Sequence, residues 1–166
     1  LIENEDDHYG RAVRWLAEGG AAAELHELAL TAAGVKAAIV SRDPFEAGER
    51  RKLNLGHTFA HAIEHEALRR GDDITHGEAV AMGIVLAARL SDALGVSAGL
   101  EARLTADFSA AGLPTRAPYP VETLAGAMDK DKKAEGSLVH FVLAERIGSV
   151  LIRDLTVAEA LKALTI

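Results

Sequence analysis

Three histidines and a glutamate crowd the stretch LNLGHTFAHAIEHE, residues 53–66, as His57, His61, Glu64 and His65. At 3.6 residues per turn, steps of four, seven and eight return to nearly one helix face, so His57 and His61 can converge on one metal ion or one anionic group. A zinc-protease helix requires a glutamate directly after its first histidine. Thr58 stands there instead, which excludes that chemistry. A second cluster, His76-Gly77-Glu78-Ala79-Val80, opens an apolar helix. A turn between the two segments lets antiparallel helices face each other, so His76 can reach a metal shared with His57. Two histidines, a carboxylate and a water form the usual open catalytic zinc arrangement. Glu64 and Glu78 are the carboxylates at hand, although helix capping competes for His76 and a favourable helix-dipole interaction competes for Glu78.

Cations and one amide complete the set. Lys36, Arg50, Arg51, Lys130, Lys132 and Lys133 are available to anions, with solvated surface charge the simpler reading for Arg51 and Lys130. Arginine offers a planar fork to a carboxylate, lysine a point charge to phosphate, and Asn54 a neutral donor and acceptor for a hydroxyl or phosphate oxygen. Metal ligands beside such hooks suit a small phosphorylated hydroxy acid. With no cysteine in the chain, any metal must be held by His, Asp or Glu. The net charge of −7 lacks the basic footprint of a nucleic-acid binder. The longest apolar runs, such as residues 79–88, fall short of the roughly 20 residues that span a bilayer, and no signal segment opens the chain. A cytoplasmic protein with neither nucleic acid nor membrane as partner is expected.

Helices must position these groups, because Ala, Leu, Glu and Arg dominate and apolar residues recur at three- and four-residue spacing. The pattern predicts a helix over residues 8–18 burying Val13 and Leu16, and a longer one over 21–42 with Leu25, Leu28, Val35 and Ile39 inward. The latter ends at Asp43-Pro44, since a residue before proline avoids the α region. A charged loop, 43–53, leads into helices at 54–70 and 77–94, closed by Gly71 and Gly95. Further helices are expected at 98–111 and 121–128, a hairpin from 138–143 and 149–152, and a last helix at 157–164 capped by Thr156. The fold class is therefore mainly α, a helical bundle-like single domain over 1–166 with one small β-hairpin near the C-terminus.

Several of these residues recur as ordered motifs: Lys36, Asp43, Glu46-x-Gly48-x-Arg50-x-x-Leu53-Asn54-x-Gly56-His57-Thr58-x-x-His61-Ala62-x-Glu64, then His76-Gly77-Glu78-Ala79-Val80, then Asp131-Lys132-Lys133-x-x-Gly136 before Phe141-Val142-Leu143 and Ile147-Gly148. This series resembles the C-terminal domain of the 3-dehydroquinate synthase family, over nearly the whole chain from Lys36 onward. The resemblance implies a helical domain packed behind an NAD-binding α/β domain. It also implies a lyase of the shikimate pathway that closes a phosphorylated seven-carbon keto-acid sugar, 3-deoxy-D-arabino-heptulosonate 7-phosphate, by NAD-assisted phosphate elimination. By that resemblance His57 and His76 are zinc (or cobalt) ligands and Glu46 and His61 acid/base groups. Lys36, Arg50, Asn54, His61 and Lys132 or Lys133 contact substrate, and the complete enzyme is a homodimer.

Two departures shape the expectation. The family's third zinc ligand, a glutamate in a Gly-x-Ala-Glu segment upstream of the Lys36 helix, has no counterpart before residue 36, and no glycine-rich strand-to-helix turn for NAD occurs. The chain begins at Leu1 rather than Met, so a fragment, inactive without its other half, is expected. The alternatives are another sugar-phosphate cyclase, a non-catalytic helical interaction domain, and a metal-dependent hydrolase using Glu64 or Glu78 as its carboxylate ligand.

Overall fold

In the computed structural model, which describes residues 1–4, 6–130 and 138–165, helices α1 (His8–Glu18) and α2 (Ala22–Arg42) precede a short 3-10 turn (Glu49–Asn54). Helices α3 (His57–Arg70), α4 (His76–Ala93), α5 (Leu100–Ala110) and α6 (Val121–Lys130) follow. The hairpin of β1 (Val139–Arg146) and β2 (Ser149–Leu155) and a final helix α7 (Val157–Leu164) close the chain. The mainly helical fold with one antiparallel hairpin is as the sequence predicts.

Helix α4 is the spine. Its apolar residues occupy nearly every face, burying Ala79, Met82, Val85, Leu86 and Leu90, because α3, α5, α7 and β1 all pack on it. Phe59 and Ile63 of α3, Leu104 of α5, Leu124 of α6 and Phe141 and Leu143 of β1 fill the shared core, with the Phe59 and Phe141 rings 5.7 Å apart. Burying side chains of this size stabilises by roughly 1.5–3 kcal/mol each. Ser91, fully buried on α4, donates to the Ala87 carbonyl and accepts from the Ala144 amide, so one hydroxyl fastens the helix to the hairpin.

Five expectations shift. Helix α3 starts at His57 rather than at residue 54, because Gly56 takes a left-handed conformation (φ 80°) that a right-handed helix cannot run through. Residues 49–54 wind instead into their own tighter turn within what reads as a loop. Helix α5 starts at Leu100, where the Asp92 carboxylate accepts from the amides of Leu100 and Glu101. The strands run longer than their β-rich centres, since cross-strand pairing of Ala144 with Val150 and Arg146 with Ser149 carries residues of low β propensity. Finally, Leu16 and Leu25 are 50% and 42% exposed rather than buried: among the described elements α2 packs chiefly on α1 and the 3-10 turn, and of its residues only Leu28 and Ile39 are buried.

Candidate metal and substrate site

The site grows from the crossing of α3 and α4. The two helices run in opposite directions, Glu64 meeting His76 at one end and Gly56 lying against Gly83 at the other. That second contact is backbone to backbone: a Cβ on Gly83 would stand 2.3 Å from the Gly56 carbonyl oxygen, and one on Gly56 would stand 2.6 Å from the Ile84 amide nitrogen. Only glycine permits the approach. With the helices this close, the His57 and His76 rings meet across the crossing, 5.7 Å apart, with His61 5.9 Å from His57.

Both facing imidazoles have an acceptor oxygen at Nδ1. His76 Nδ1 lies 2.9 Å from Glu64 Oε1, and His57 Nδ1 lies 3.3 Å from the Leu55 carbonyl oxygen. Carbonyls and ionised carboxylates only accept, so each Nδ1 donates and each neutral ring keeps its lone pair on Nε2. That is the state in which histidine ligates a metal, with a carboxylate or carbonyl behind it. The donor set therefore fits part of a zinc or cobalt site. Among the described residues no group of three or more His, Asp or Glu side chains is placed to hold a metal. His61 is exposed and makes no hydrogen bond to a described residue, which leaves its ring available, whereas His65 leans toward buried Glu66 and away from this cluster.

The carboxylate alternatives separate cleanly. Glu78 completes a capping box: its Oε2 accepts from the Thr75 amide (2.8 Å) and hydroxyl (2.7 Å) while the Thr75 hydroxyl accepts from the Glu78 amide. These bonds hold its carboxyl below the usual glutamate range. The cap of α4 is Thr75 and not His76. Behind it, Tyr119 donates to Asp72 (2.8 Å) and carries the Arg70 guanidinium 4.8 Å from its ring, which pins the loop that delivers His76.

Upstream, Asp43 organises the loop that carries the remaining candidates. Its carboxylate accepts from the amides of Ala47 (2.9 Å), Gly48 (2.8 Å) and Arg50 (3.0 Å), and these bonds, that of Arg50 foremost, lower its pKa. The wrap forces Glu46 into a left-handed conformation (φ 56°) that costs a non-glycine residue about 1 kcal/mol. Strain of this kind persists where surrounding bonds over-determine the backbone, and here it presents the Glu46 carboxylate to Asn54, whose amide donates at 2.9 Å. Asn54 thus sits in the 3-10 turn and partners Glu46, not on the histidine helix. Arg50 spends one donor on the Pro44 carbonyl (2.9 Å). Lys36 and His57 line one cleft of about 290 Å³, whose other walls include Val35, Leu55, Val80 and Ile84. Lys132 and Lys133 lie outside the described residues.

Residues 10–134 match the family described as 3-dehydroquinate synthase C-terminal. The chain belongs to that family. The 3-dehydroquinate synthase of Rhodospirillum rubrum is 45% identical over 90% of this chain, and that of Neisseria gonorrhoeae (strain NCCP11945) 46% identical over 77%. The chain spans less than half the length of these relatives, 43% and 36% respectively. Two solved structures share the fold across 99% of this chain and 47% of their own: 2-epi-5-epi-valiolone synthase from Streptomyces hygroscopicus subsp. jinggangensis 5008, with NAD+ and Zn2+ bound (TM-score 0.76, 22% identity), and 2-deoxy-scyllo-inosose synthase complexed with carbaglucose-6-phosphate, NAD+ and Co2+ (TM-score 0.73, 18% identity).

Within this family domain, sequence reasoning missed what Asp43 and Gly83 do. The aspartate carried a signal, since Asp before a proline-led turn habitually accepts from amides a few residues on. A glycine amid the apolar run of α4 carried one too, the mark of a close backbone approach.

Proposed function

We propose that this chain is the metal- and substrate-binding half of a 3-dehydroquinate synthase, a cytoplasmic lyase that removes phosphate from 3-deoxy-D-arabino-heptulosonate 7-phosphate and closes its ring to 3-dehydroquinate. The observation that carries the reading is the 45% identity to a protein of that name over 90% of the chain, together with family motifs that meet around His57 and His76. On this reading the domain works beside an NAD-binding half, in a homodimer, and one half without the other is inactive.

His57 and His76 hold the metal through Nε2, with the Leu55 carbonyl and Glu64 behind them. When bound, zinc or cobalt supplies Lewis-acid polarisation of substrate oxygens and NAD supplies a reversible acceptor for a hydride. Lys36, at the cleft beside His57, and Arg50, on the loop tied by Asp43, bind the carboxylate and phosphate of the substrate. Lys132 or Lys133 adds a further cation. Asn54 aims Glu46 through the hydrogen bond its side-chain amide donates, so that the carboxylate exchanges a proton with a substrate hydroxyl from a fixed position. His61, whose ring makes no hydrogen bond to a described residue, binds the substrate and relays the proton of the leaving phosphate.

Other sugar-phosphate cyclases are the competing reading, and the two solved neighbours belong there, but at 22% and 18% identity they bear on fold alone. Joining this chain to an upstream NAD-binding half and assaying phosphate release with zinc and NAD tests the proposal. Turnover of the seven-carbon keto acid, with none from the chain alone or from hexose phosphates, supports it. Turnover of a hexose phosphate or a heptulose without the carboxylate transfers the reading to another cyclase.

A further inference from the structure

We infer that Glu64 is a positioning residue for His76, fixing its ring in the Nδ1–H form so that Nε2 carries the lone pair. Its place on α3 follows from spacing: Glu64 stands seven residues after His57, two turns along the same face, where α4 begins. Its backbone is rigid, because Ala62 and Ile63 beside it are buried in the core. His76, by contrast, is exposed and stands at the first position of its helix, where the capping box bonds Thr75 and Glu78 but leaves the imidazole untouched; besides Glu64 its ring meets the His57 ring, edge-on at 5.7 Å, a contact that does not select which nitrogen carries the proton. The 2.9 Å bond from Nδ1 to Glu64 Oε1 is its one hydrogen bond among the described residues.

An imidazole left to itself favours the Nε2–H form, which presents a proton where a metal needs a lone pair. An ionised carboxylate at Nδ1 reverses that preference and raises the basicity of the far nitrogen. Glu64 is about one-third exposed, so the pair adds little to stability, and its consequence is confined to which nitrogen of His76 is protonated and where the ring points. The inference deepens the metal-site reading above and rests on it for its functional consequence, while the tautomer itself is independent of any metal.

The experiment is nitrogen-15 NMR of the seven histidines in the metal-free chain at alkaline pH. The wild type is expected to show His76 as the Nδ1–H tautomer, and Glu64→Ala to move it to mainly Nε2–H while the amide spectrum of the core stays in place. In the chain joined to its NAD-binding half, zinc affinity measured against a chromogenic chelator then falls by about tenfold to a hundredfold for Glu64→Ala, the usual effect of removing the group behind a ligand histidine. A wild-type His76 found as Nε2–H overturns the inference without any variant, as does an unchanged tautomer in Glu64→Ala. If zinc shifts neither His57 nor His76 in the wild-type chain joined to its NAD-binding half, the metal reading fails, yet the tautomer comparison still decides the role of Glu64.

Discussion

Arg50, proposed above as a substrate contact, shows how much of such a residue's placement is done by its neighbours. Its amide is held by Asp43 and one guanidinium donor by the Pro44 carbonyl, so its remaining donors are presented from a fixed loop. If Arg50 binds substrate as proposed, replacing it by alanine removes a charged hydrogen bond, and we expect the loss in kcat/KM of the joined enzyme to correspond to about 1.5–3 kcal/mol, mostly through KM, with the metal content unchanged. A loss confined to kcat would contradict the assignment. Asp43 makes a pH prediction whose sign is fixed by the same bonds. Because its folded pKa is depressed by the amides of Arg50, Gly48 and Ala47, the order it confers is complete above the ordinary aspartate value of about 3.9 and is lost only as pH falls through the lower folded value. Amide shifts of Ala47, Gly48 and Arg50 followed by NMR should therefore turn over below pH 3.9. A midpoint at or above that value would show that the carboxylate is not held.

At the scale of elements, the crossing of α3 and α4 decides the site. Gly83→Ala would drive a methyl into the Gly56 carbonyl, and we expect a loss of about 1–3 kcal/mol in unfolding stability together with weaker zinc binding, as the start of α3, and His57 with it, is pushed away from α4. Unchanged zinc affinity in a destabilised protein would uncouple packing from the site. Ser91→Ala tests the other fastening of α4. It strands the buried Ala144 amide and should cost about 1–3 kcal/mol in denaturant unfolding without touching zinc affinity. Both helices of the crossing were legible in sequence because their apolar periodicity is long and each is closed by a glycine. The start of α3 was not, since periodicity cannot tell a 3-10 turn ending at a left-handed glycine from a first helical turn. His57 and His76 stood out because histidines at helical spacing beside a charged loop are uncommon. The partners that fix them, Leu55 through a backbone carbonyl and Glu64 across two helices, depend on tertiary placement that spacing alone does not carry.

For the molecule as a whole, charge, burial and cleft point one way. The chain's net charge is −7, so if the substrate is the anionic keto-acid phosphate proposed above, attraction must come from local cations such as Lys36 and Arg50 rather than from the overall field. Helix α2, which carries Lys36, keeps Leu25 and Leu30 exposed at 42% and 59%, and buries little of its own surface among the described residues. The most direct test of the account is the zinc content of this chain joined to an NAD-binding half, measured beside its His57→Ala counterpart. The account predicts one zinc per joined chain and its loss on substitution, with the fold intact by circular dichroism. A His57→Ala protein that remains zinc-replete would contradict it.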